Sequence, residues 1–162
     1  MIIRPAIPED ADTIATIYNH YILNSIATFE EEPVTSSEML SRLEKIQISG
    51  LPWLVAEKDG VVIGYAYAGK WHARSAYRYT VEVSVYTAHN SDSKGLGTQL
   101  YEFLFDELRT LSIKSVIGML AIPNEASVAL HEKFGMKKVA HLEKVGFKFD
   151  TFIDVGYWQG QL

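Results

Sequence analysis

The stretch Thr80–Leu104, TVEVSVYTAHNSDSKGLGTQLYEFL, decides how the chain is read. Its first half alternates, with Val81, Val83 and Val85 on one face and Glu82, Ser84 and Tyr86 on the other, which is the period of a half-buried strand. The alternation ends in a polar loop, Asn90, Ser91, Asp92 and Ser93. Gly95 and Gly97 then free the backbone, and Leu100, Phe103, Leu104, Leu108 and Leu111 resume at helical spacing. A strand, a glycine-rich loop and a helix in that order bring unsatisfied N–H groups and the positive end of a helix dipole to one point, which suits an anion such as a pyrophosphate. Two familiar phosphate loops are excluded. A P-loop requires Gly-Lys-Ser/Thr, whereas Gly97 is followed by Thr98 and Gln99. A dinucleotide fingerprint requires a third glycine where Leu100 stands and an acidic residue closing the next strand, which ends Gly118, Met119, Leu120. Taken alone, the stretch is also compatible with a plain strand-to-helix turn.

Outward from this stretch, 162 residues with 48% hydrophobic and 22% charged side chains describe one globular domain large enough for a real core. A net charge of −5 argues against a nucleic-acid or anionic-membrane surface, because phosphate backbones are held by clustered Lys and Arg. The expected partner is a small molecule. Without cysteine there is no disulfide, thiolate nucleophile or Cys-ligated zinc. The start MIIRPAIPED breaks too early, at Arg4 and Pro5, for a signal peptide, and no apolar run approaches membrane-spanning length, so a cytoplasmic location is expected.

In chain order, Met1–Arg4 reads as a short strand, followed by a helix with Ile14, Ile17, Tyr18, Tyr21 and Ile22 on one face, both tyrosines being read as core. Asn24–Pro33 has no period and reads as a loop, in which Phe29 and Glu30 either border a substrate pocket or belong to a solvated acidic run. Thr35 with Glu38 predicts a capping box, and Met39, Leu40, Leu43 and Ile46 give the next helix its stripe. Asp59-Gly60 between Trp53–Glu57 and Val61–Tyr67 predicts a hairpin. Residues 68–79, AGKWHARSAYRY, interleave Lys70, His72, Arg74 and Arg78 with aromatics. Such a loop suits an anionic group, and the plainer reading is solvated charge around Trp71 as a core anchor. Ser115–Leu120 is a strand, Pro123-Asn124-Glu125 opens a helix ended by Gly135, and Met136–Val145 and Phe152–Trp158 are apolar closing strands. The fold class is a mixed α/β sheet with helices on both faces.

The segment PNEASVALHEKFGM, residues 123–136, resembles the second coenzyme A motif of GNAT N-acetyltransferases, and in detail the phosphinothricin and methionine sulfoximine acetyltransferases. PWLVAEKDG at 52–60, AYAGKWHARSAY at 66–77 and GFKFDTFIDVGYWQ at 146–159 agree, so the resemblance covers nearly the whole chain. It implies the GNAT fold, a mostly antiparallel sheet flanked by helices, with acetyl-CoA as cosubstrate and often a homodimer. It further implies that the backbone of Val85, Tyr86 and Thr87 pairs with pantetheine and that Ser93, Lys94, Gly95, Leu96, Gly97 and Thr98 hold the pyrophosphate. The resemblance also implies that Asn124 hydrogen-bonds the cofactor and that Arg74 and Tyr77 line the amino-acid site. Two positions depart from the pattern: Asp92, where relatives tend to have Gln or Arg, and His72, often Lys in herbicide-acetylating members.

A thioester is already activated, so the enzyme has mainly to orient an amine and make it neutral. Glu82, acidic in a valine-rich strand beside the loop, is the candidate base, its alternative being an ordinary solvent-facing carboxylate. His131, with an ordinary pKa near about 6.5, is the candidate proton shuttle or donor to the leaving thiolate, its alternative being structural. His20, His72, His89, His131 and His141 show no ligand spacing, so no metal is expected. The expected activity is acetylation of the α-amine of a small amino acid or analogue such as phosphinothricin, methionine sulfoximine or methionine sulfone. A polyamine or protein N-terminus is the alternative, with Arg74 weighing against a polyamine by repulsion. A non-catalytic acyl-CoA-binding module is disfavoured by Glu82 and His131.

Overall fold

The computed structural model describes residues 1–92 and 94–162, so the expectation for Ser93 lies outside the described residues. The apolar alternations form β1 (Ile2–Pro5), β2 (Trp53–Lys58), β3 (Val61–Lys70), β4 (Thr80–Thr87), β5 (Ser115–Ile122), β6 (Lys137–Lys148) and β7 (Thr151–Gln161). They make one sheet in the order β1-β2-β3-β4-β5-β7-β6, where β4 and β5 run parallel and the other pairs antiparallel. Helices α1 (Ala11–Asn24) and α2 (Ser36–Ile48) cover one face, and α3 (Leu96–Thr110) and α4 (Glu125–Lys133) cover the other. This is the mixed, mostly antiparallel GNAT architecture that the resemblance implies. Among the described residues, no helix is long and apolar enough to cross a membrane.

Local chemistry sets most boundaries. Asp59 and Gly60 take φ of 52° and 79°, the left-handed pair a two-residue hairpin needs. Thr35 Oγ1 accepts from Glu38 N at 3.0 Å and caps α2; the return half of the expected capping box is replaced, because the Glu38 carboxylate accepts from Arg42 Nε at 3.1 Å. On α3 the buried stripe is Leu96, Leu100, Tyr101, Leu104, Phe105 and Leu108. Phe103 and Leu111, expected on that stripe, are 53% and 44% exposed, since Phe103 points away from its centre and Leu111 lies beyond the last turn. The apolar side chains of β6 also differ from expectation: Val139, Leu142, Val145 and Phe147 are exposed, because β6 is an edge strand.

One irregularity of the sheet matters for function. β3 and β4 pair from Gly64↔Thr87 to Lys70↔Val81, whereas β4 and β5 pair only at Thr80↔Ser115, Val81↔Val116 and Glu82↔Ile117. Beyond Glu82 the two parallel strands separate. β5 continues instead with β7, pairing as far as Ile122↔Asp154.

Candidate active site

The gap between β4 and β5 leaves one edge of Val83–Thr87 without a strand beside it. At Thr87 the edge is taken by a side chain: Tyr21 Oη donates to Thr87 O at 2.7 Å and accepts from its N–H at 3.4 Å. Backbone groups alternate sides along a strand, so Val85 and Val83 present theirs to the same opening while Tyr86 turns its own toward β3. Of the three residues expected to meet pantetheine, Val85 is therefore the one with open backbone groups. Tyr86 and Thr87 contribute wall. Tyr21, read from sequence as core, belongs to this edge.

The opening widens into a cleft of about 360 Å³ between β4, α3 and α4, lined in part by Val85, Tyr86, Thr87, Gly95, Leu96, Gly97, Asn124 and His131. Gly95 is the N-cap of α3 at φ 79°, a left-handed conformation that glycine adopts without strain. The first-turn N–H groups of Leu96, Gly97 and Thr98 consequently lack helical partners at the cleft's end. Lys94 is exposed beside them, and Lys133 Nζ stands 3.5 Å from Thr98 Oγ1, a cation the sequence reading missed. Asp92 is exposed. Asn124 Oδ1 caps α4 by accepting from Ser127 N at 3.2 Å, which leaves the side-chain amide N–H groups to donate. An open strand edge, apolar walls and a helix N-terminus fit the amide-bearing arm and diphosphate of coenzyme A.

Glu82 projects from the other face of the sheet into a chamber of about 190 Å³ walled by Tyr18, Phe29, Tyr67, Ser84, Tyr86 and Met119 among others. Ala27, Ser84, Tyr86, Met119 and Ala121 line both spaces, so the chamber and the cleft adjoin. Glu82 is half-buried and accepts no hydrogen bond from a described residue. Burial raises its carboxyl above the usual value, and His72 offsets this only in part.

The wall that carries Phe29 is held from three sides. Glu30 receives Arg42 through two nitrogens at 2.8 and 2.7 Å and also accepts from Tyr18, so it belongs to a fixed network and not to a solvated acidic run. Tyr18 Oη lies 2.8 Å from Thr28 Oγ1. Lys148 of β6, only 2% exposed, donates to Ser25 O and Thr28 O at 2.7 Å each, and burial lowers its pKa.

His131 is 2% exposed. Its Nδ1 lies 2.7 Å from Ser127 O and therefore carries the proton, while Nε2, 3.0 Å from Tyr101 Oη, accepts. Burial lowers its pKa, which corrects the ordinary value expected from sequence: the ring is neutral and both nitrogens are engaged. Tyr101, which the sequence reading missed, lines the cleft beside it. Arg74 and Tyr77 are exposed on a turn around the short 3-10 segment Ser75–Tyr77. The fold does not bring them to the chamber, although Tyr77 meets His72 edge-on at 5.1 Å. Trp71, the core anchor of the plainer reading of this loop, is half-buried and meets Tyr157 edge-on at 5.7 Å.

The chain is similar to known proteins in sequence and fold. The family model described as acetyltransferase (GNAT) domain matches residues 3–156. The phosphinothricin N-acetyltransferase of Streptomyces viridochromogenes is 44% identical over 157 residues, covering 97% of this chain and 85% of that protein. The L-methionine sulfoximine/L-methionine sulfone acetyltransferase of Salmonella typhimurium is 38% identical over 162 residues, covering 100% of this chain and 95% of that protein. Among solved structures, a phosphinothricin acetyltransferase from Sinorhizobium meliloti in complex with acetyl-CoA superposes with a TM-score of 0.96 at 34% identity, covering 99% of this chain and 88% of that one.

Proposed function

The chain belongs to the GNAT acetyltransferases and is an acyltransferase enzyme; from this premise we propose that it moves an acetyl group from acetyl-CoA to the α-amine of a small amino acid or analogue. Phosphinothricin, methionine sulfoximine and methionine sulfone, named for the relatives, represent that class. The observation that carries the reading is Glu82: a carboxylate without a hydrogen-bond partner among the described residues, raised in pKa by burial, in a chamber that adjoins the cleft.

Acetyl-CoA supplies an acyl group already activated as a thioester. The open edge at Val85 holds the pantetheine arm, the N–H groups of Gly95 to Thr98 meet the diphosphate, and Lys94 and Lys133 add positive charge. Asn124 donates from its side-chain amide. Glu82 takes the proton of the α-ammonium, directly or through a water, and its raised pKa brings it closer to the neutral range where a base works best. His131 stands behind Tyr101 as a positioning residue: its neutral Nε2 accepts from the tyrosine hydroxyl and fixes that hydroxyl on the cleft wall. Phe29 borders the amino-acid chamber, whereas Arg74 and Tyr77 stand outside it on the exposed turn after β3. The exposed apolar side chains of β6 and Phe152 support a homodimer, and the cysteine-free chain supports a cytoplasmic location.

The test is thiol release from acetyl-CoA with the twenty amino acids and the three analogues. Release with free α-amines and none with their N-blocked counterparts is expected. Turnover confined to polyamines or protein N-termini would overturn the substrate assignment.

A further inference from the structure

Beyond the Glu82 chamber lies a larger cavity for which the reaction just described has no use. It encloses about 940 Å³ between α2 and the end of β3, is floored by Trp53, Tyr65 and Tyr67, and shares Tyr18 and Tyr67 with the chamber. The chamber therefore adjoins the cofactor cleft on one side and this cavity on the other.

Three independent features give the cavity a ligand. Gly69 lines it and pairs directly with Glu82 across β3 and β4. Its backbone has no positive φ, and an added Cβ would meet only Ile46 Cδ1 at 3.4 Å, an ordinary contact. Neither dihedral strain nor crowding calls for glycine there, and glycine weakens a strand interior. With no side chain at Gly69, the strand position paired with Glu82 contributes only backbone to the cavity wall. Next, the floor holds an unused donor: Trp53 is 3% exposed, its ring is stacked on Tyr67 at 4.1 Å, and its buried Nε1–H has no partner among the described residues. Finally, Arg42, Lys45, Lys70 and His72 line the cavity with no described carboxylate, in a chain of net charge −5. Arg42 is paired with Glu30 and Glu38, which leaves Lys45 and Lys70 to face a ligand.

We propose that this cavity is the side-chain subsite of the acetyl acceptor, and that the preferred substrate is an α-amino acid with a long apolar stem ending in an oxyanion. The amine meets Glu82, the stem crosses Gly69 and lies over Tyr67 and Trp53, and the terminal anion reaches Lys45 and Lys70. The proposal rests on the amino-acid acetyltransferase reading and adds to it the length and charge of the side chain.

Thiol release from acetyl-CoA by L-alanine, L-glutamate, L-2-aminoadipate, L-2-aminopimelate and uncharged L-norleucine tests it. The kcat/KM should rise about tenfold from L-glutamate to L-2-aminopimelate, with L-norleucine about tenfold below L-2-aminoadipate. Gly69→Val should reverse the length order by closing the passage. The surface pair Lys45→Gln/Lys70→Gln should erase the advantage of the terminal carboxylate and keep the length order. Calorimetric titration with acetyl-CoA verifies that each variant is folded, and Gly69→Ala, with a weaker reversal, replaces a valine variant that is not. Equal kcat/KM across the series in a protein that still acetylates amino acids overturns the subsite and leaves the acetyltransferase reading standing. Thiol release with no amino acid at all overturns both.

Discussion

Glu82 and His131 are both withdrawn from water, one on the α1/α2 face of the sheet and the other against its α3/α4 face, and they differ in what surrounds them. Both nitrogens of His131 are hydrogen-bonded, and its ring packs on Gly118, where a Cβ would come within 2.5 Å of Cδ2. Glu82 has burial without such partners, and its pKa moves the opposite way. A satisfied buried group lies in an energy minimum and holds structure. A buried carboxylate with unspent acceptor capacity costs stability, and such strain is retained where a proton must be taken up.

The sharpest way to break this contrast is Glu82→Gln, which removes the proton acceptor and leaves the cleft intact. Its kcat should fall by about 10²–10⁴ while acetyl-CoA affinity by calorimetry stays within about twofold. Unchanged turnover would show that the partnerless carboxylate has no chemical role. Gly118→Ala probes the other member, because the added methyl must displace the His131 ring. A loss of about 1–3 kcal/mol in denaturant unfolding is expected, and wild-type stability would mean that the ring is not locked. Arg74→Ala tests whether the exposed turn contributes to the site: KM for the amino acid should rise by about threefold to fivefold, as for an exposed ion pair. A rise above about thirtyfold would place Arg74 in a desolvated contact supplied by a second subunit. The smallest effect belongs to Asp92→Gln, which should tighten acetyl-CoA about twofold to threefold at low salt, the gain shrinking as salt screens the pair. Weaker binding in that variant would assign the Asp92 carboxylate to shaping the loop.

Much of the frame was legible in the sequence because its causes are local. The alternation of Val81, Glu82, Val83 and Ser84 gives β4, Asp59-Gly60 gives the hairpin, and Asn124 caps α4 three residues before Ser127. What stayed hidden depends on distant partners. The state of His131 is set by Tyr101, thirty positions away in the chain, and the Phe29 wall by Lys148, which reaches back 120 positions to Thr28. A lysine within an apolar strand carries no sequence signal for such a clamp. Tyr101 itself was accessible, since Leu100, Tyr101, Leu104, Phe105 and Leu108 fit helical spacing better than a stripe through Phe103. The exposure of β6 was not accessible, because it follows from β7 inserting between β5 and β6. The resemblance to the family correctly gave the fold and the acyltransfer chemistry, whereas the separation of Arg74 and Tyr77 from the chamber appears only in the folded chain.

The most direct test of the central claim, that Glu82 is a base made competent by burial, is the pH dependence of kcat at saturating substrates. A carboxylate with a raised pKa loses its basic form as pH falls through that raised value. The wild-type enzyme should therefore show an acid limb of unit slope with a midpoint above 4.5, the usual value for glutamate, and the residual activity of Glu82→Gln should lack that limb. A midpoint at or below 4.5, or the same limb in both proteins, would contradict the assignment.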